Sequence, residues 1–171
     1  MVQQTTIRKN NEGLAFLERI FGNSAVNGEV KRSIGFLRDD YAAAMKIAGN
    51  LYSHAKWIPY PFLVDRIKRI SDEVKLHAEI FRAKIIELGG QIPQATLESR
   101  DASKSNYDGH AFGQNVKRLV ADMEEHSDQC ETLLHQKNMV IDVQVVELLN
   151  AVIVDMQRQK DELTDIIMRI S

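Results

Sequence analysis

The stretch PFLVDRIKRISDEVKLHAEIFRAKIIELGGQIP, residues 61–93, decides how the chain folds. Ile67, Ile70, Val74, His77, Phe81, Ile85 and Leu88 recur at spacings of three and four, which sets them along one stripe of an α-helix. Pro61 suits the first helical position, where an amide would have no partner and φ is already helical. Gly89 and Gly90 followed by Pro93 form a stop signal. Glycine accepts the left-handed conformation that closes a helix, and proline cannot continue one. A helix over about 61–88 with one apolar side must bury that side against partners.

The same period extends outward in both directions. Ile34, Leu37, Tyr41, Ala44, Ala48, Leu51, Ala55 and Ile58 predict a helix over 28–58. Phe112, Val116, Leu119, Met123, His126, Cys130 and Leu133 predict one over 110–136. Asp142 is a good N-cap for a last helix reaching the end of the chain, with Val145, Leu149, Val152, Met156, Gln159, Leu163 and Ile166 on its stripe. Leu14, Leu17 and Phe21 suggest a short helix over 12–21, ended by Gly22-Asn23-Ser24. No period-two pattern of a strand occurs.

Connection lengths then set the architecture. The turn Pro59-Tyr60-Pro61 joins the first two long helices, and a turn near Asn138 joins the last two, so each pair is antiparallel. The polar segment 91–109 is the one long connection. Short–long–short connectivity predicts an all-α, ferritin-like four-helix bundle with a long crossover between its second and third helices. A plain up-down bundle is the alternative that loop lengths leave open. Residues 1–27 are read as a tail with a short extra N-terminal helix, and residues 28–171 as the bundle.

Composition agrees. The chain carries 3 prolines and 9 glycines, where an average chain of this length has roughly 9 and 12. Few breakers mean long elements. Cys130, the single cysteine, allows neither an internal disulfide nor a multi-thiolate metal site. With 22 basic against 24 acidic residues, no nucleic-acid partner is implied. No apolar run approaches 18 residues, so no membrane partner is expected. The polar opening Met1–Gly13 and the lone thiol set a cytoplasmic location as the expectation. No phosphate loop or nucleophile elbow is present.

The segment from His77-Ala78 through Arg82 to Leu88-Gly89-Gly90-Gln91-Ile92-Pro93 resembles the second-helix signature of the ferritin-like superfamily, above all its bacterioferritin and rubrerythrin branches. Asp142, Leu148, Leu149 and Asp155 resemble the family's fourth helix, and Tyr52 to Ala55 the end of its first. The resemblance covers about residues 28–171. It implies a dimetal centre that handles iron and oxygen, built from one glutamate on each of two helices and a Glu-x-x-His pair on each of the others. It also implies assembly, as a homo-oligomer or as a hetero-assembly with a ferritin-like paralogue.

Carried over residue by residue, that centre is degenerate. His77 matches the second-helix histidine, but the glutamate three places earlier is Val74. Glu73 lies one place away, about 100° around the helix. Met156 and Gln159 stand at the Glu and His positions of the fourth helix, and His126 falls near the glutamate position of the third. The first helix offers no carboxylate over Ala44 to Ile47, and Lys75 stands where the family's haem-ligating methionine belongs.

Two functional readings follow. In the first, ferroxidase activity has been lost, no cofactor is expected, no residue is catalytic, and the bundle is a scaffold, assembly subunit or small-ligand binder. Tyr41, His77, His126 and Gln159 would then form a polar layer within the core. In the second, an iron-binding, ferroxidase or peroxide-handling role persists through a rearranged metal site on His77, His126 and Glu73, with Glu124, Glu125 and Asp155 as further acids close to the inner faces. The bland reading of those acids is solvated helix flank.

Overall fold

The computed structural model describes residues 23–92 and 109–171, all helix and short turns. Four helices make up this part: α1 over Asn23–His54, α2 over Pro61–Glu87, α3 over Gly109–Lys137 and α4 over Val143–Ile170. They run about 40–48 Å each at 1.5 Å per residue. Among the described residues there is no strand, and no helix is long and apolar enough to cross a membrane. The expected short helix over 12–21 lies outside the described residues.

Three of the four helices match their expected bounds within a residue or two. The first departs. It begins at Asn23, five residues before the expected Gly28, and ends at His54 rather than Ile58. Asn23 and Ser24, expected to end a preceding helix, belong to α1 itself. Gly28, Gly35 and Gly49 sit inside it in open space. Each weakens a helix by about 1 kcal/mol relative to alanine, too little to break one whose other face is packed. Beyond His54 the chain turns, yet Trp57 and Ile58 remain buried.

The ends are built as the local sequence dictates. Pro61 occupies the start of α2. Gly89 has φ 79°, its amide donates to the Ile86 carbonyl at 2.9 Å, and the Gly90 amide donates to the Ile85 carbonyl at 2.8 Å. These two bonds make a Schellman cap, which satisfies carbonyls that the helix end leaves open. Asp142 caps α4, its Oδ1 accepting from the amides of Gln144 at 2.9 Å and Val145 at 3.3 Å.

Cross-helix contacts define the packing. α1 packs on α2 and α3, and α4 packs on α3 and α2. Lys46 reaches Glu125, and Trp57 meets Phe112. Partners on α3 thus fall in number as α1 proceeds, and the pair is antiparallel. Arg66 reaches Glu162 while Lys84 reaches Gln144, so α2 and α4 are antiparallel too. All adjacent helices therefore oppose one another, and α2 ends at the opposite end of the bundle from the start of α3. The stripes interlock as the core: Leu37, Leu51, Ile67, Ile85, Leu119, Leu133, Leu149 and Leu163 are fully buried.

Candidate functional site

At mid-height α2, α3 and α4 bring polar side chains into the apolar core. His77, His126 and Gln159 are all buried, Gln159 and His126 completely. Their hydrogen bonds do not run among themselves in the simplest way. His77 Nε2 stands 3.3 Å from Asp155 Oδ2, a carboxylate at the rim of the α2–α4 seam. Gln159 Nε2 donates to Glu73 Oε2 at 3.1 Å. Neither ring nitrogen of His126 meets a partner in hydrogen-bond geometry, nor does Oε1 of Gln159. Tyr41 is buried on α1 and makes no hydrogen bond to the other three.

Electrostatics follow this placement. Burial lowers the pKa of His77, and the charge and hydrogen bond of Asp155 offset part of that. His126 is pushed down to about 4 by burial and by the positive charge His77 can carry, against small opposing effects of the Met156 backbone and Gln159. Both imidazoles are therefore neutral near pH 7.

Glu73 differs in kind. Burial acts to raise its pKa, but hydrogen bonds from Arg158 and Gln159 and the charges of Arg158 and Arg69 outweigh burial and hold it below the usual range. Arg158 Nη2 lies 2.8 Å from Glu73 Oε2. Glu73 is one rung of a ladder along the α2–α4 seam, in which Arg66 and Arg69 both bind Glu162 and Arg66 also binds Asp165 at 2.6 Å. The remaining candidate acids are surface groups. Glu124 is exposed, and Glu125 pairs with Lys46 at 2.6 Å.

A dimetal centre does not fit these residues. Val74 and Met156 present apolar surface in the core where the resemblance would place carboxylates. Among the described residues no three of His, Cys, Asp and Glu converge as a group that could hold a metal ion. Without carboxylates, two divalent ions in a low-dielectric core would lack charge compensation.

A second polar cluster closes the end of the bundle where α1 stops. Trp57 Nε1 donates to His54 Nδ1 at 3.0 Å, His54 Nε2 meets Asp122 Oδ2 at 2.6 Å, and Asn50 Nδ2 donates to Asp122 Oδ1 at 3.0 Å. The indole N–H fixes Nδ1 as the acceptor, so the ring proton sits on Nε2 and is donated to Asp122. Trp57 also packs edge-on against His54 and Phe112, centroids 5.6 and 5.5 Å apart. The cluster ties the end of α1 to α3 through buried and half-buried hydrogen bonds. Sequence reading places His54 only near a helix end. The available signal is its spacing of three from Leu51, which continues the inner stripe.

No family model matches this chain, and no curated protein or solved structure matches it either.

Proposed function

We propose that this protein is a ferritin-like bundle in which iron oxidation has been lost and the four helices serve as a scaffold or assembly subunit. The polar segment 91–109 would be the long crossover of that fold. The opposed directions of every adjacent helix pair support this connectivity, since α2 and α3 must be joined from one end of the bundle to the other. The observation that carries the functional reading is the pairing of Glu73 with Arg158 and Gln159. The acid nearest the expected ligand position is neutralised by an arginine, and the expected position itself holds Val74 inside the core.

Assembly is supported by apolar side chains left in solvent on the flanks of the α2–α4 seam. Leu76 and Val154 are each more than half exposed, beside His77 and Asp155. A rearranged iron site would require Glu73 to leave two cationic partners and swing inward, and nothing in its surroundings favours that.

Metal content of the purified protein, together with ferrous oxidation followed by absorbance, tests the reading. Metal-free protein with background oxidation is the expected result. Stoichiometric iron, or oxidation well above background, would refute it. Solution mass separates a 19.5 kDa monomer from an assembly.

A further inference from the structure

Asp40 on α1 is almost wholly out of solvent, and α3 faces it with two amides. Gln129 Nε2 donates to its Oδ1 at 2.9 Å, and Gln136 Nε2 donates to the same oxygen at 3.1 Å. The other carboxyl oxygen, Oδ2, is buried without a donor, and so is Oε1 of Gln136. Two acceptors thus go unpaired on two groups that are already joined by one hydrogen bond. A single proton satisfies both. A carboxylic acid and a primary amide close a ring of two hydrogen bonds, amide N–H to acid carbonyl and acid O–H to amide carbonyl.

We infer that Asp40 is a neutral carboxylic acid in the folded chain, its Oδ2–H donated to Gln136 Oε1, and that this acid–amide ring is a pH-sensitive fastening of α1 to α3. The ionised form would leave Asp40 Oδ2 and Gln136 Oε1 as two buried acceptors without a donor, which is costly. Burial drives the carboxyl up to about 7, with the Gln136 and Gln129 hydrogen bonds opposing the rise and the charge of Asp39 adding to it.

Other titratable groups on the packed helices are turned away or engaged. Asp128, Glu131 and His135 of α3 are exposed. The Cys130 thiol faces the Ile153 carbonyl of α4. Lys84 of α2 is held by Gln144 and Glu87, and Asp155 of α4 by His77.

The direction of the pH effect is fixed by the raised value. The unfolded chain ionises at an ordinary aspartate pKa and the folded chain only near 7, so Asp40 weakens the fold progressively as pH rises between those two values. The effect is about tenfold in the unfolding constant per pH unit, about a thousandfold in all.

The test compares the full-length wild type with Asp40→Asn, whose amide reproduces the neutral acid and can donate to Gln136 in its place. The ratio of their unfolding constants should rise about tenfold per pH unit from pH 4 to 7 and then level. Infrared spectra of the wild type at pH 6 should show the carbonyl band of a protonated carboxylic acid. This measurement needs no variant and stands even if Asp40→Asn fails to fold. Asp39→Asn, an exposed change, should lower the midpoint without abolishing the band. Absence of the band at pH 6, or a ratio independent of pH, would overturn the inference. So would a wild type whose stability at pH 8 depends on added sodium, potassium or magnesium through Asp40, because a cation and not a proton would then bridge the two oxygens.

Discussion

His54 Nε2 lies 2.6 Å from Asp122 Oδ2 across the α1–α3 seam, with both side chains nearly closed to solvent. Lys46 Nζ lies at the same distance from Glu125 Oε1 in the same seam, but those side chains are 58% and 37% exposed. The two pairs separate distance from energetic weight. Asp122→Ala leaves the His54 ring proton buried and unpaired and takes the acceptor from the half-buried Asn50 amide, at about 3 kcal/mol. Lys46→Ala removes a solvated pair, worth less than about 1 kcal/mol. Thermal denaturation should show Tm falling by about 6–12 °C for the first and by about 2 °C or less for the second. Equal shifts would contradict the buried relay.

Glycines of this chain divide by what surrounds them. A Cβ on Gly90 would lie 2.8 Å from Ile34 Cγ2 and 2.9 Å from Ile85 Cγ2, inside contact distance of both α1 and α2. Gly90→Ala is therefore expected to cost about 1–3 kcal/mol through overpacking. Gly35 and Gly49 lie mid-helix with nothing near a Cβ, and alanine at either should stabilise by about 0.5–1 kcal/mol. Urea midpoints of the three variants should move in these opposite directions.

His126 sets the acid limit of the fold. Its folded pKa is depressed to about 4 from 6.5, so its neutral state stabilises the fold above pH 6.5 and that stability is lost as pH falls toward 4. The loss is about 3 kcal/mol. This slope runs against that of Asp40 over much of the same range, so the wild-type profile alone will be shallow. His126→Leu removes two buried ring nitrogens that have at best weak partners, along with the acid liability. It should match the wild type within about 1 kcal/mol at pH 7.5 and exceed it at pH 5. Calorimetry at the two pH values decides; a variant less stable at pH 5 would refute the account.

Rebuilding the missing ligands tests the ferritin-like reading directly. Val74→Glu, Met156→Glu and Gln159→His together restore a Glu-x-x-His pair on α2 and another on α4. Without metal the triple variant buries carboxylates that lack partners and should lose several kcal/mol. Zinc or ferrous ion should then raise its Tm in a concentration-dependent way and leave the wild-type Tm unmoved. A triple variant indifferent to metal would mean that the two helix faces do not converge as that fold requires.

Much of the fold was legible in the sequence because helix formation here is a matter of period. The stripe from Ile67 to Ile85 is buried throughout, as is the one from Val145 to Ile166. Pro61, Gly89-Gly90 and Asp142 act where local chemistry puts them. The start of α1 is not legible locally, because Gly28 carries a local penalty that packing further along the helix outweighs. At the candidate site, the burial of His77, His126, Gln159 and Tyr41 could be read from their places on the stripes, and the absence of carboxylates from Val74 and Met156. Their partners could not. Asp155 and Glu73 lie on the flanks of their stripes, and which flank residue reaches the core depends on how one helix is set against the next.

The sequence by itself therefore determined the helices, their inner faces and the chemical poverty of the expected metal centre, because each depends on residues a few places apart. Only the tertiary structure decided that Asp40 meets Gln136, that His54 meets Asp122 and that Arg158 claims Glu73. Those pairings join residues 68 to 96 places apart, and their register is settled by the packing of whole apolar faces rather than by the polar groups themselves. Once that packing is complete, a polar residue at a seam is either matched by what happens to stand opposite or, like Asp40, compelled to change its protonation.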